Sequence, residues 1–351
     1  MKVALDLSPL YSGHKFRGIG FYTKRLIEAM QPLAKKRPDL ELEFVKSVDK
    51  LLFVDVDLIH YPYFSPFFLS LAAKPLAPSV VTIHDLTTVM YMEHFIPGVK
   101  GKLCWLVQKK RLKKVQAVIT DSQYWREEIP RLTDYPQERI YSIPLAAGEE
   151  FKKIKNQKSK IKIKQKYQLP DNFVLYVGDV NWNKNVLGLI KAFSQYTSEV
   201  VKLVLVGKAF EDANLKETQE ILQLIEEFNL INRVIILGYV PTEDLVVIYN
   251  LASVYCQPSF CEGFGLPVLE AMACGCPVVA AKTSSLPEIC GEAAVMVDPD
   301  DINDIANGIK KAVDNRESLV KKGLAQSKKY SWEKTARQTI KVYEKIYQQE
   351  N

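Results

Sequence analysis

The chain has 351 residues, 47% of them hydrophobic and 25% charged, with a formal net charge of +6. That length accommodates two domains of ordinary size, and the composition is that of a soluble globular protein. No apolar run is long enough to span a bilayer, and the six cysteines and four histidines fall into no metal-ligand spacing, which sets aside an integral membrane protein and a structural zinc domain.

The first apolar run, Val3 to Leu7, reads as a buried strand; it holds an Asp and is too short for a signal peptide, which points to the cytoplasm. Arg17-Gly18-Ile19-Gly20 reads as a loop and Phe21 to Met30 as a helix. Leu42 to Val45, Leu58 to His60, Val80 to His84, Ala117 to Thr120 and Ile140 to Ile143 read as further strands. Such alternation predicts an α/β fold, a doubly wound parallel sheet over residues 1–150. Residues 151–170 turn polar and lysine-rich and read as a linker. A second α/β series over residues 171–331 starts with Val174 to Gly178. Its further strands are Lys202 to Gly207, Val234 to Gly238, Val254 to Cys256, Pro277 to Ala281 and Ala294 to Val297. Val186 to Tyr196, Thr218 to Phe228 and Asp301 to Val313 read as helices between them. Several of these strands end in Gly, which lets backbone approach a ligand at the carboxyl edge of the sheet. Residues 332–351 hold a long helical pattern, Trp332 to Gln349.

Charge is unevenly placed. Lys100 to Lys114 carries seven basic residues and no acid, interleaved with Leu103, Trp105, Leu106 and Val107. It reads as a solvated helix face, or as a surface for an anionic membrane or an anionic acceptor. Lys152 to Lys166 carries eight lysines and reads as a solvated face or linker. Nothing in this balance points to nucleic acid. Asp55-Val56-Asp57 reads as loop aspartates before a strand, and no metal site is expected.

The densest chemistry lies in Glu262-Gly263-Phe264-Gly265-Leu266-Pro267-Val268-Leu269-Glu270, which ends, four residues on, in Cys274-Gly275. Two carboxylates stand eight residues apart, one on a glycine loop and one inside the helix that follows. Gly263 and Gly265 allow a tight turn, Pro267 suits a helix start, and Gly275 suits its end. A helix N-terminus with open amides receives phosphate, and a carboxylate accepts both hydroxyls of a diol. The combination suits a nucleotide-sugar.

This run resembles the donor-site signature of retaining glycosyltransferases of family 4, which have the GT-B fold: two Rossmann-like doubly wound domains facing a cleft. The resemblance covers nearly the whole chain and implies a nucleotide-diphosphate sugar donor bound by the second domain. It implies ribose contacts by Glu270 and sugar contacts by Glu262. The amides of Gly263, Phe264, Gly265 and Leu266 would then meet sugar and phosphates. Gly178-Asp179-Val180-Asn181-Trp182-Asn183-Lys184-Asn185 matches the family's phosphate segment at Lys184-Asn185, so Lys184 is expected to stabilise the departing diphosphate. Asp179 stands where the family usually has a basic residue; either it points away, or another base such as Lys208 supplies the charge. Gly18 and Gly20 resemble a glycine loop that approaches the donor phosphate, and they lack the third Gly of a dinucleotide fingerprint. Tyr239 and Val240 stand where the base stacks. His84-Asp85 resembles the family's His-Asp near the donor sugar, and the acceptor is expected around Asp85, Tyr61, Tyr63 and the basic stretch. The tail helix would cross back toward the N-terminal domain.

The expected activity is metal-independent, retaining transfer of a mannose-like hexose to a saccharide or lipid-linked acceptor, with no cofactor, in surface polysaccharide or glycolipid synthesis. The enzyme would work in the cytoplasm, with peripheral contact to an anionic membrane. An epimerase on the same fold and a non-catalytic nucleotide-sugar binder remain as alternatives, the second favoured only by Asp179.

Overall fold

The structure is a computed structural model, and it describes residues 1–13, 18–46, 55–195 and 201–350. The chain divides into two compact units, Met1–Leu145 with Tyr330–Asn351, and Ala146–Lys329.

The first unit holds six parallel strands: β1 (Lys2–Asp6), β2 (Glu41–Val45), β3 (Leu58–Tyr61), β4 (Ser79–Thr82), β5 (Ala117–Thr120) and β6 (Ile140–Ser142). Their order is β2-β1-β3-β4-β5-β6. The central strands β3, β4 and β5 are buried at every position, which is why they read as unbroken apolar runs. Helix Gly18–Ala34 packs against the tail helix Trp332–Glu350, with Phe21 and Tyr22 set 6.4 and 6.1 Å from the Trp332 ring. Deeper in, His60 joins Tyr343 of that tail helix to Thr82 of β4 through its two ring nitrogens, at 2.5 and 2.8 Å. Burial drives its pKa down to about 3, so the ring is neutral.

The second unit holds β7 (Asn172–Val177), β8 (Val201–Val206), β9 (Val234–Gly238), β10 (Val254–Gln257), β11 (Val278–Ala281) and β12 (Val295–Val297). All pair in parallel, in the order β12-β11-β10-β7-β8-β9. The chain winds outward from β7 through β8 and β9. It then returns to pair β10 against the other side of β7 and winds the opposite way. Loops leaving the carboxyl ends of β7 and β10 therefore diverge, and that divergence opens the crevice where such sheets bind ligands.

Several expectations need correction. Gly18 to Gly20 is the first turn of a helix, not a loop; the first-turn amides have no intrahelical partner in any case, so glycines there disturb little. Arg17 lies outside the described residues. Strand β4 ends at Thr82, so His84 lies beyond the sheet edge. The lysine-rich stretch is not a loose linker: it forms the helix Gln157–Lys166. Asn156 caps it, accepting from the amides of Lys158 and Ser159, and Ile163 is buried. At its end Lys166 and Tyr167 both donate to Asp244 Oδ2, at 2.6 and 2.7 Å. Asp57 holds the start of β1, accepting from the Lys2 amide at 2.6 Å. All six cysteines are free and five are buried. Among the described residues no helix is long and apolar enough to cross a membrane, and no group of three or more His, Cys, Asp or Glu side chains is placed to hold a metal.

Candidate active site

Gly207, at the end of β8, shows how close the strand ends come: a Cβ there would lie 1.9 Å from the Gly178 carbonyl oxygen. Beside it the β7 loop starts at Gly178. Tyr176 donates its hydroxyl to the Asp179 carbonyl at 2.6 Å, and Asp179 Oδ1 accepts from the Val180 amide at 2.9 Å. The acid in the family's basic position thus serves its own turn. Lys208 is exposed at the start of the short turn after β8.

The loop then runs through a 3₁₀ turn, Trp182–Lys184, to Asn185 in the left-handed conformation at φ 52°. Asn185 Oδ1 caps the helix Val186–Ser194 at the Gly188 amide, while its Nδ2 donates to the carbonyls of Pro258 and Pro299, at 3.0 and 2.7 Å. Asn183 Nδ2 donates to the Cys261 carbonyl and its own carbonyl accepts from the Phe260 amide, each at 2.8 Å. Trp182 stacks on Phe260 at 4.7 Å. These bonds zip the β7 loop to the β10 loop and set the Lys184 ammonium on the Glu262 carboxylate, 2.9 and 2.8 Å from its two oxygens.

Glu262 is only 6% exposed. Its Oε1 also accepts from Gln257 Nε2 at 2.5 Å and from Ser259 Oγ at 2.7 Å. The loop backbone is pinned from β11's far end. Ser284 Oγ accepts from the Glu262 amide at 2.8 Å. Ser285 Oγ donates to the carbonyls of Glu262 and Phe264, and Thr283 Oγ1 to that of Ser259. Phe264 is buried, so it offers a ligand backbone only. Gly265, at φ 105°, turns the chain into the helix Leu266–Ala273; among the described residues no side chain caps that helix start. Its far end is closed by Gly275 at φ 73°, with the Gly275 and Cys276 amides returning to the carbonyls of Met272 and Ala271.

Glu270 lies inside this helix and accepts from the Tyr249 hydroxyl at 3.1 Å. It keeps some solvent contact, yet burial, with Glu150 adding to it, pushes its carboxyl up to about 7. At the end of β9, Gly238 is held at φ 62° and the Glu211 carboxylate accepts from the Tyr239 amide that follows, at 2.8 Å. The Tyr239 ring is 54% exposed and Val240 is packed beneath the surface. At this position it is a ring face, rather than the Tyr239 amide, that is open to a base.

In the first unit His84 Nδ1 lies 2.7 Å from Asp121 Oδ2 and Nε2 lies 3.2 Å from the Pro62 carbonyl. Both partners are oxygens, an arrangement that favours the protonated ring. Burial pulls its pKa down, and the Asp121 carboxylate more than reverses this, leaving it raised. Asp85 Oδ1 accepts from the Thr87 amide at 2.9 Å, a local turn before helix Thr87–Met90. Tyr61 is 4% exposed at the end of β3 and has no face for an acceptor to touch, whereas Tyr63 keeps solvent contact.

Lys184, Glu262 and the helix start before Glu270 are thus gathered at one switch point, while Asn183, Gln257 and Ser259 there, and Asp121 beside His84 in the first unit, are not among the expected site residues. Asn185, expected beside Lys184, also carries a capping signal, an Asn directly before a helical pattern.

Two doubly wound parallel sheets, one with a cation, two carboxylates and an uncapped helix start at its switch point, have the GT-B architecture, and the family matches make the chain a glycosyltransferase of that type. The chain belongs to the family Glycosyl transferases group 1, which matches residues 157–348, and residues 10–147 match Glycosyltransferase Family 4. It is 35% identical to O-antigen chain mannosyltransferase B of Escherichia coli over 276 residues, 76% of this chain and 70% of that one. It is 31% identical to the serotype-specific mannosyltransferase WbdA of Escherichia coli over 275 residues, and that match spans only 34% of the longer protein. Among solved structures, sucrose-phosphate synthase from Thermosynechococcus elongatus shares the fold with a TM-score of 0.76 at 22% identity, over 99% of each chain.

Proposed function

We propose that the protein transfers a mannose-like hexose from a nucleotide-diphosphate sugar to a hydroxyl of a saccharide or lipid-linked acceptor, with retention and without metal, in surface-polysaccharide synthesis. The observation that carries this is the Lys184–Glu262 pair beside the open start of helix Leu266–Ala273. In this reading the amides of Gly263 to Leu266 receive sugar and phosphate, Glu270 takes the ribose hydroxyls, and Tyr239 offers a face to the base. Lys184 neutralises charge as the diphosphate leaves. The bond from the anomeric carbon to the diphosphate oxygen breaks, the acceptor oxygen bonds that carbon on the same face, and the acceptor proton passes to the leaving diphosphate. Glu262 is held by three donors and lends itself to binding sugar hydroxyls rather than to nucleophilic attack. The likeness to mannosyltransferases supports the choice of hexose.

A screen of UDP-, GDP-, ADP- and dTDP-sugars tests this. One donor class is expected to raise the melting temperature and to be hydrolysed slowly, equally with and without EDTA. No stabilisation by any donor overturns the reading, and loss of activity in EDTA restored by Mn2+ overturns its metal-independent part.

The same reading places the enzyme at the inner face of a membrane. Helix Val99–Leu112 buries Trp105, Gln108 and Leu112 and turns Val99, Leu103 and Leu106 outward beside Lys100, Lys102, Lys110 and Lys113. No acid lies between His94 and Asp121. An apolar face fringed with bases suits an anionic lipid surface, at about 1 kcal/mol per base near the surface. Sedimentation with phosphatidylglycerol vesicles is expected, weakened by salt and by Leu103→Glu with Leu106→Glu, and absent with pure phosphatidylcholine. Equal sedimentation of the double variant would remove this contact.

A further inference from the structure

Residue 257 sits at the end of a strand buried at every position, where an apolar side chain is the ordinary choice. The glutamine there is 1% exposed, and a buried amide is tolerated only when it is bonded. Tyr255, two residues earlier on the same face, donates its hydroxyl to Gln257 Oε1. A phenol hydroxyl can serve the amide oxygen only as donor, so Nε2 is turned the other way. It meets Glu262 Oε1 at 2.5 Å and Ser259 Oγ at 3.3 Å. Ser259 in turn donates to the same carboxylate oxygen. A buried relay thus runs from Tyr255 through Gln257 to Glu262 and on to Lys184.

We infer that Gln257 is a positioning residue for the transfer reaction: anchored by Tyr255, it aims the Glu262 carboxylate, and through it the Lys184 ammonium. This rests on the roles given to Glu262 and Lys184 under the proposed function. Three donors on Oε1 leave the carboxylate a single orientation. An ammonium bonded to both of its oxygens follows it. A small rotation of Glu262 would carry both groups away from a bound sugar diphosphate, and misplacement by about 1 Å lowers rates about 10²-fold. The titratable groups facing Glu262 are Lys184, Tyr176 and Tyr255. Burial holds both phenols well above their ordinary value, so they act only as neutral partners.

Two variants test this in parallel with the wild type, using the donor that the screen selects. Gln257→Leu removes the amide and is expected to lower kcat about 10- to 100-fold while nucleoside-diphosphate affinity stays within about 2-fold. Gln257→Glu sets a second carboxyl against Glu262. Two carboxyls so close repel when both are ionised, which raises the pH at which one of them takes up a proton, and only a protonated introduced carboxyl can donate where the amide did. Its kcat is therefore expected to recover toward wild type as pH falls from about 8 to about 6, while Gln257→Leu keeps the wild-type pH profile. Wild-type kcat in both variants overturns the inference, as does a Gln257→Glu profile that parallels wild type. A Gln257→Leu loss matched by an equal loss of nucleotide affinity assigns Gln257 to folding of the pocket and overturns it too. Should the leucine variant not fold, the near-isosteric glutamate variant decides the matter through its pH profile. An inactive wild type sinks the functional reading itself, which is a different result from an active wild type indifferent to residue 257.

Discussion

Lys184→Ala is expected to lower turnover about 10²- to 10³-fold at saturating donor, the usual effect of removing one preorganised charge from a developing anion. The protein should remain folded. Glu262 is buried and loses a cation, yet Gln257 and Ser259 still donate to it, so the stability loss is expected at about 1–3 kcal/mol. The measurement is kcat beside a thermal melt. A turnover number unchanged from wild type, in a folded variant, would take Lys184 out of the mechanism. A variant that melts far below wild type would instead assign the pair to structure.

Glu270→Gln is expected to weaken nucleoside-diphosphate binding about 10- to 100-fold at pH 8, because a neutral amide accepts two ribose hydroxyls less well than a carboxylate does. The same change is expected to leave the ligand-free protein as stable as wild type, or more so. The sign follows from the Glu270 carboxyl, which burial raises from 4.5 to about 7. The folded state holds that proton more tightly than the unfolded chain. The stabilisation this brings is complete below about pH 4.5 and is lost as pH rises through 7. Above pH 7 the ionised carboxylate remains in its buried site at a cost of about 3 kcal/mol, and a glutamine avoids it. Wild-type nucleotide affinity should accordingly fall as pH drops from about 8 to about 6, while the variant's affinity stays flat over that range. Wild-type affinity in Glu270→Gln, or a pH-independent wild type, would remove the ribose role.

The two residues differ in how readable they were. Glu270 stands four residues inside a helix whose start and end are both marked by residues with only one good conformational use there, Pro267 and Gly275. Its chemistry is local and legible. Lys184 was legible as a lysine before a helix, but not as the partner of Glu262, because 78 residues separate them. His84 and Asp121 show the same limit. Each follows its own parallel strand, and the contact that raises the imidazole pKa exists only because β4 and β5 are neighbours. The lysine-rich stretch failed for another reason. Lysines at nearly every second position hide the single buried Ile163 and the Asn156 cap that make it a helix. Tyr61 was misplaced because a strand buried on both faces offers no alternation by which to tell an inward from an outward ring.

The twelve strands of the described residues, the two-domain plan and the glycine loop between two carboxylates follow from patterns a few residues long, where local conformational preference and burial act on neighbours in the chain. Those are legible in the order of the amino acids alone. The order of the strands is another matter. Pairing β10 with β7 rather than with β9 brings together residues eighty positions apart in the chain, and it rests on the summed packing of a whole sheet. Only that choice opens the switch point, lays Lys184 on Glu262, and turns an ordinary buried glutamine at 257 into a support for both.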